Sequence, residues 1–336
     1  MELIKSMNTA PQYKPVLQHK PNETGRDLVV FDVHGCYDSL MRVLEQAKFD
    51  PACGDRLFSV GDLIDRGPRS WDTLKLILEP WMHLVRGNHE DMLLSAIDCF
   101  NSILHSNMDI YPNGGKWLIG LSDGQIDELE SVIAPKLQAT PHVRSVLNEN
   151  GDGVSFHIAH AELLRPSHSR YFDPSQGDNN DGAGFYNDAE LAQVAAGHEP
   201  ANWDQDKFIA ASTWGRRAVR DVMSDSRADR PVTWLNDFPM ATGTTRLAVS
   251  STPYCPGLSP VFVGHTILER AAMHASHIFA DLGCVNTYRR TKEDNGTLCL
   301  IDARQTLAWL KERMPRPEDE QVDPFTPLAR GKMPLP

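Results

Sequence analysis

An α/β fold built on a parallel sheet is predicted from three features of the chain. Short apolar runs alternate with amphipathic stretches in the order β-α-β-α-β over residues 27–104, each run breaks off into polar residues and glycine at its C-terminal end, and no repeat or linker divides the rest of the chain. Residues 27–35, DLVVFDVHG, read as strand then loop, and 39–47, SLMRVLEQA, have helical spacing. The second pair is RLFSVGD (56–62), a strand, and SWDTLKLILE (70–79), a helix. A third strand, MHLVRGN (82–88), ends in a loop at Asn88-His89, and EDMLLSAIDCFNSIL (90–104) continues helically. In such sheets ligands bind at the carboxyl ends of the strands.

Residues 105–150 are less regular and expected to be helical. Four more strand-like runs come after them: VSFHIAHA (154–161), PVFVGH (260–265), HASHIFAD (274–281) and TLCLIDA (297–303). Between the first two lies an enlarged, irregular segment, 162–259, with a polar stretch at 173–184 and a short Ala-rich helix at 189–197. Residues 1–26 read as a flexible arm, 27–314 as the folded domain, and 315–336, rich in Pro and charge, as a tail.

With 41% hydrophobic residues the chain of 336 can build a substantial core, so wholesale disorder is excluded. No apolar run approaches the roughly 20 residues of a membrane span, and the first 25 residues lack the pattern of a signal peptide. The six cysteines, Cys36, Cys53, Cys99, Cys255, Cys284 and Cys299, form no C-x-x-C pair, which fits reduced thiols in a cytoplasmic protein. A net charge of −12 disfavours a long nucleic acid or an anionic membrane as partner, while leaving room for a local phosphate pocket.

Polar residues collect at the strand ends. They are Asp32 and His34, then Asp62 and Asp65, then Asn88 and His89, then His160, then His265. Five strands thus deliver carboxylate, imidazole or amide donors at one end, a set suited to Mn, Fe or Zn. Residues i and i+2 of a strand share a face, so Asp32 and His34 can grip one ion together. Each motif alone has a plain structural reading: D-x-H-G as a turn, G-D-x-x-D-R-G as a capped turn, His265 as a hydrogen-bonded core histidine. Their conjunction in order favours a metal site. His83 and His157 read as packed residues, His105, His142, His168 and His198 as surface ones, and Cys36 as a core filler. The spacing of His274 and His277 is expected to split them across strand faces, and Trp203, Trp214 and Trp234 are expected to pack in the core.

DVHG (32–35), GDLIDRG (61–67), RGNHE (86–90), HAE (160–162) and GHT (264–266) together resemble the signature of the metallophosphoesterases. More narrowly they resemble PPP-type serine/threonine protein phosphatases of the bacterial and lambda phage branch, whose D-x-G segment is similar to FADLGCV (279–285). The resemblance implies two mixed β-sheets packed as a sandwich flanked by helices, with two divalent metal ions at one edge. It further implies Asp32 and His34 on the first ion, Asp62 bridging, and Asn88, His160 and His265 on the second. His89 would be the general acid oriented by Asp65, with Arg66, Arg86 and Arg216 on the substrate phosphate, Arg217 being a neighbouring candidate for the last. The expected chemistry is hydrolysis of phosphomonoesters by metal-activated water, with Mn²⁺ as the first choice of ion and Fe or Zn as others. A phosphorylated protein is the expected partner and a small phosphoester the simpler one. Diadenosine tetraphosphate hydrolases share DVHGCYDSL-like and GDLIDRGP runs but usually carry G-N-H-D where Glu90 stands here. A 2′,3′-cyclic nucleotide phosphodiesterase or RNA-end phosphatase, and a catalytically dead scaffold, are the remaining alternatives. The segment 162–259 is expected to wall or cover the site.

Overall fold

Alternation in strand β2 (Asp27–Val30) builds two layers at once. Leu28 and Val30 enter one apolar cluster, and Val29, with Phe31 after it, enters another on the opposite face. The computed structural model describes residues 13–100, 110–165, 184–201, 203–216, 218–219, 232–286 and 297–315. Beside β2 lie β3 (Arg56–Ser59) and β4 (Met82–Leu84), all three parallel, with β12 (Leu300–Asp302) antiparallel at the other edge. One face of this four-stranded sheet is covered by α1 (Tyr37–Gln46), α2 (Ser70–Lys75) and α3 (Asn88–Phe100). Leu40 and Leu44 of α1, one turn apart, are both buried there, as the i,i+4 spacing requires.

The opposite face meets a second, eight-stranded sheet. Its order is β1 (Val16–His19), β5 (Val143–Leu147), β6 (Val154–Ala159), β9 (Val261–Val263), β11 (His277–Phe279), β10 (Ala271–His274), β8 (Gly243–Val249) and β7 (Thr233–Met240). Phe31 and Phe58 from the small sheet and Phe156, Ile158 and Phe262 from the large one fill the space between, all essentially without solvent contact. Burying each such side chain contributes about 1.5–3 kcal/mol. Helices α6 (Asp188–Ala195) and α7 (Gln205–Trp214) cover the outer face of the large sheet through Leu191, Val194 and Phe208. α4 (Asp123–Glu128) and α5 (Ala134–Gln138) join β4's side of the molecule to β5, and α8 (Ala303–Arg313) closes the inter-sheet core with Trp309 and Leu310. The architecture is the expected pair of mixed sheets flanked by helices.

Several local expectations are corrected. The supposed flexible arm contributes β1, whose residues 16–19 pair in parallel with β5; residues 1–12 lie outside the described ones. The stretch 105–150 contains β5 as well as helix, and 162–259 contains the β7–β8 pair as well as α6 and α7. HASHIFAD is not one strand, because Ala275 (φ 45°) and Ser276 (φ 67°) form a two-residue turn that pairs His274 with His277. Those two histidines are therefore direct cross-strand neighbours and not on opposite faces. His142 is fully buried, and Trp214 and Trp234 are exposed, whereas Trp203 packs on Tyr186 and Phe208 as expected. The polar loop 173–183, the tail after 315 and Arg217 lie outside the described residues.

Candidate metal centre

Asn88, His89 and Glu90 are not a loop but the first turn of α3. Successive helical residues point about 100° apart, so three neighbours in sequence address three different partners. Asn88 Oδ1 lies 2.9 Å from His160 Nε2 and 3.1 Å from His265 Nδ1. His89 Nδ1 is 2.6 Å from Asp65 Oδ2, and Trp117 Nε1 donates to the other oxygen of Asp65 at 2.6 Å. Glu90 turns back and accepts from the backbone N–H groups of Asp62 and Leu63 in the loop after β3 and of Gly87 after β4, each at 2.9 Å.

Asp62 sits at the centre. Its Oδ2 is 3.6 Å from His34 Nε2 and 3.7 Å from His89 Nε2, while its Oδ1 is 3.4 Å from His160 Nε2. Two donor groups result, His34–Asp62–His89 and Asp62–His160–His265, which share Asp62 as a bridging ligand would be shared. The outer ring nitrogens fix the tautomers: His34 Nδ1 faces the Ile64 carbonyl at 3.0 Å and His160 Nδ1 the Val60 carbonyl at 2.9 Å. Each Nε2 then presents a lone pair inward, the usual arrangement behind a metal ligand. Asp32 is 4.0 Å from His34 Nε2, and its carboxylate accepts from the His265 amide.

The backbone is bent to achieve this. Among the described residues nine non-glycines have positive φ, and five of them are His34, Asp62, Asp65, Arg66 and His265. Such left-handed conformations are costly for side-chain-bearing residues and persist at functional sites when surroundings over-determine them. Gly264 is needed beside them, since a Cβ there would overlap Asp32 Oδ1.

The sequence profile of the calcineurin-like phosphoesterases matches residues 28–230, more than half of the chain. The chain belongs to that family. Serine/threonine-protein phosphatase 2 of Escherichia coli (strain K12) is 40% identical to this calcineurin-like phosphoesterase over 134 residues, 40% of this chain and 57% of that protein. Serine/threonine-protein phosphatase 1 of Salmonella typhimurium is 41% identical over the same shares. A symmetrical bis(5′-nucleosyl)-tetraphosphatase of Dechloromonas aromatica (strain RCB) is 57% identical over 69 residues, 20% of this chain and 25% of that protein. The chain thus spans little more than half the length of the phosphatases it matches.

Electrostatics in this phosphoesterase fit a cation site. Burial alone would raise the pKa of Asp62, yet the surrounding imidazoles of His160, His89, His34 and His265 hold it far below the ordinary carboxylate range. Burial pushes the His265 pKa down to about 3. Asp32, wholly buried, is pushed well up by burial and by Asp281, a carboxyl that sits against it with one oxygen lacking any donor. Two adjoining buried carboxyls, one with an orphaned oxygen, and the His34 and His160 Nε2 atoms turned toward Asp62 are what a divalent pair would satisfy.

His89 has two readings, since it belongs geometrically to one donor group. Burial disfavours its charged form, but Asp62 and the hydrogen bond to Asp65 outweigh that and raise its pKa. A ring held toward imidazolium donates protons better than it binds cations, which favours the acid role. Arg66 Nη1 is 2.6 Å from His34 Nε2, and Arg216 Nε donates to His265 Nε2 at 3.0 Å, so both guanidiniums face the cluster.

Arg86 is not brought onto the cluster. It pairs with Asp91 at 2.6 Å, donates to the carbonyls of Leu137 and Gln138, and lies against His142 and the Tyr13 ring. Tyr13 Oη in turn is 2.6 Å from His142 Nδ1. Sequence reasoning missed Trp117, Asp281 and the clamp made by Glu90. Only Glu90 and Asp281 carried any signal, as parts of the RGNHE and DLGC runs.

Proposed function

We propose that this chain is a metal-dependent phosphomonoesterase acting on phosphoserine and phosphothreonine residues of proteins. The observation that carries this reading is His89: a wholly buried imidazole with no partner on Nε2, beside Asp62 and backed by Asp65. Asp32, His34 and Asp62 would hold one divalent ion, and Asp62, Asn88, His160 and His265 the other, with Mn²⁺ the first choice. Bound there, the pair would neutralise the phosphoryl group and activate water for attack.

The chain's own residues do the rest. Arg66 and Arg216 offer planar guanidiniums to the equatorial oxygens, a bidentate match lysine cannot give. His89 passes its Nε2 proton to the seryl or threonyl oxygen as the P–O bond breaks, yielding the free hydroxyl and inorganic phosphate. Asp65 orients that ring, and Trp117 fixes Asp65. Arg86 would contribute only after release from Asp91. Trp214 and Arg216 reach His265 from the segment 162–259, which would make that part of it one wall of the site. No described helix is long and apolar enough to cross a membrane.

A second reading, hydrolysis of diadenosine tetraphosphate, is favoured by the 57% identity over 69 residues to a tetraphosphatase. One experiment separates the two. Metal-free protein reloaded with Mn²⁺ is assayed on p-nitrophenyl phosphate, a phosphothreonine peptide, diadenosine tetraphosphate and a 2′,3′-cyclic nucleotide, with Asp62→Asn and His89→Asn as controls. Peptide turnover dominating and lost in both variants supports the proposal. Dominance of a nucleotide replaces the substrate class, and no metal-dependent turnover on any of them rejects the catalytic reading.

A further inference from the structure

Trp234 does not pack in the core: it is 42% exposed, with Arg246 Cζ 4.7 Å and Arg270 Cζ 5.2 Å from its ring centroid. The strand register explains the grouping. Trp234 lies opposite Ala248 and Ala248 opposite Ala272, and Arg246 and Arg270 are each two residues before those alanines. All three side chains therefore share the outer face of the sheet, away from Leu247, Val249 and Met273, which face the inter-sheet core. Carrying the β8–β10 register one residue back sets Arg270 beside Arg246, an arrangement that is unfavourable for like charges. Both are exposed, and neither forms an ion pair with a described carboxylate, the adjacent Glu269 included. Among the described residues this basic pair has no carboxylate of its own, which leaves it open to an anion brought by a ligand.

Its position points to which anion. Ala272 pairs with Phe279, and Phe279 with Val263, so Arg270, two residues before Ala272, lies toward the end of the sheet where β9 runs on to His265. Two strand spacings separate β10 from β9, about 10 Å. The loop joining them exposes Ile267 (41%), and on the near side Trp214 (52% exposed) lies 6.0 Å from the His265 ring. Exposed Trp214 beside His265 and exposed Ile267 in the 265–270 loop are thus solvent-facing among the described residues on the way from the metal centre to the Trp234–arginine cluster.

We propose that Trp234, Arg246 and Arg270 form a recognition subsite for an acidic side chain on a phosphopeptide, about three residues from the phosphorylated position. An extended chain advances about 3.3 Å per residue, so three residues span the gap. Arginines stacked on an indole are held with their edges free for bidentate contact with a carboxylate. This inference rests on the protein-phosphatase reading and deepens it.

Two phosphothreonine peptides, identical except for Glu or Gln three positions from the phosphothreonine, test it on Mn²⁺-loaded protein. Binding is read by fluorescence anisotropy and turnover by phosphate release, with p-nitrophenyl phosphate hydrolysis reporting the state of the metal centre in each variant. Wild type is expected to prefer the Glu peptide by about tenfold, a preference that weakens with salt. It should vanish in Arg246→Ala/Arg270→Ala and reverse toward a Lys peptide in Arg270→Glu. Equal binding of the two peptides to wild type, or a preference that survives the double variant, overturns the subsite even if both peptides are turned over. Selective, arginine-dependent binding without peptide turnover keeps the subsite and rejects the phosphatase reading. Arginine-dependent binding of diadenosine tetraphosphate in place of either peptide overturns the proposal in favour of a nucleotide subsite.

Discussion

His89 lies between two chemistries. Its Nε2 is close enough to His34 and Asp62 to count as a metal donor, while its Nδ1 is tied to Asp65 at 2.6 Å as a proton donor's would be. Replacing His89 with Asn decides between them. As a general acid it should cost about a hundred- to ten-thousand-fold in kcat, and two equivalents of Mn²⁺ should still bind by titration. Loss of one equivalent would instead make His89 a ligand. The residues that meet at the cluster were legible in the sequence because each is a distinctive residue type at the end of an apolar run. Trp117 was not, since nothing local ties an indole to a carboxylate 52 positions earlier in the chain. Arg86 was legible as a motif residue and misleading as a contact, because Asp91, five residues on, captures its guanidinium.

Between elements, Glu90 is the tie that matters most. From the first turn of α3 it satisfies three backbone N–H groups, two of them in the loop that presents Asp62. Burial and the charge of Asp62 push its pKa up to about 7. Glu90→Ala leaves three buried donors unpaired at about 1–3 kcal/mol each. It should lower the unfolding midpoint and weaken Mn²⁺ binding together, while Glu90→Gln, which keeps an acceptor, should lose less of both. Unchanged metal affinity in Glu90→Ala would show that the loop holds its shape without the tie. The β10–β11 hairpin shows why some elements were unreadable. Its turn uses Ala275 and Ser276 at positive φ, where Asn-Gly or Gly would have announced it. His277 follows that turn, accepting from the Leu163 amide at 3.0 Å, and burial drives its pKa down to about 3. A base whose pKa falls on folding binds its proton more readily when unfolded. Stability from this residue is therefore complete above about pH 6.5 and is lost as pH falls toward 3, by up to about 1.4 kcal/mol per pH unit. In urea titrations from pH 7 to 4, His277→Gln should show a shallower fall than wild type, and parallel curves would contradict this.

Taken whole, the molecule is two sheets whose ends converge on a point where like-natured donors crowd together. β2, β3 and α3 from one sheet's side bring Asp32, His34, Asp62 and Asn88; β6 and β9 from the other bring His160 and His265. The parallel half was readable because crossover helices with clear periodicity separate its strands. The eight-stranded half was not, because its neighbours come from distant segments, β1 beside β5 and β8 beside β10. Because the centre draws on both sheets, an ion bound there ties them together, and metal should stabilise the whole fold cooperatively. Each ion at a hundred times its dissociation constant contributes about 2.7 kcal/mol, so two ions should raise the unfolding midpoint by on the order of 10 °C. Asp62 is the one residue common to both donor groups. Asp62→Asn should therefore abolish most of the Mn²⁺-dependent shift, whereas a substitution at a ligand of one group alone, such as His265→Ala, should abolish about half. Equal losses in the two variants would mean that the ions bind as an inseparable pair, and an undiminished shift in Asp62→Asn would place the metal somewhere other than between these sheets.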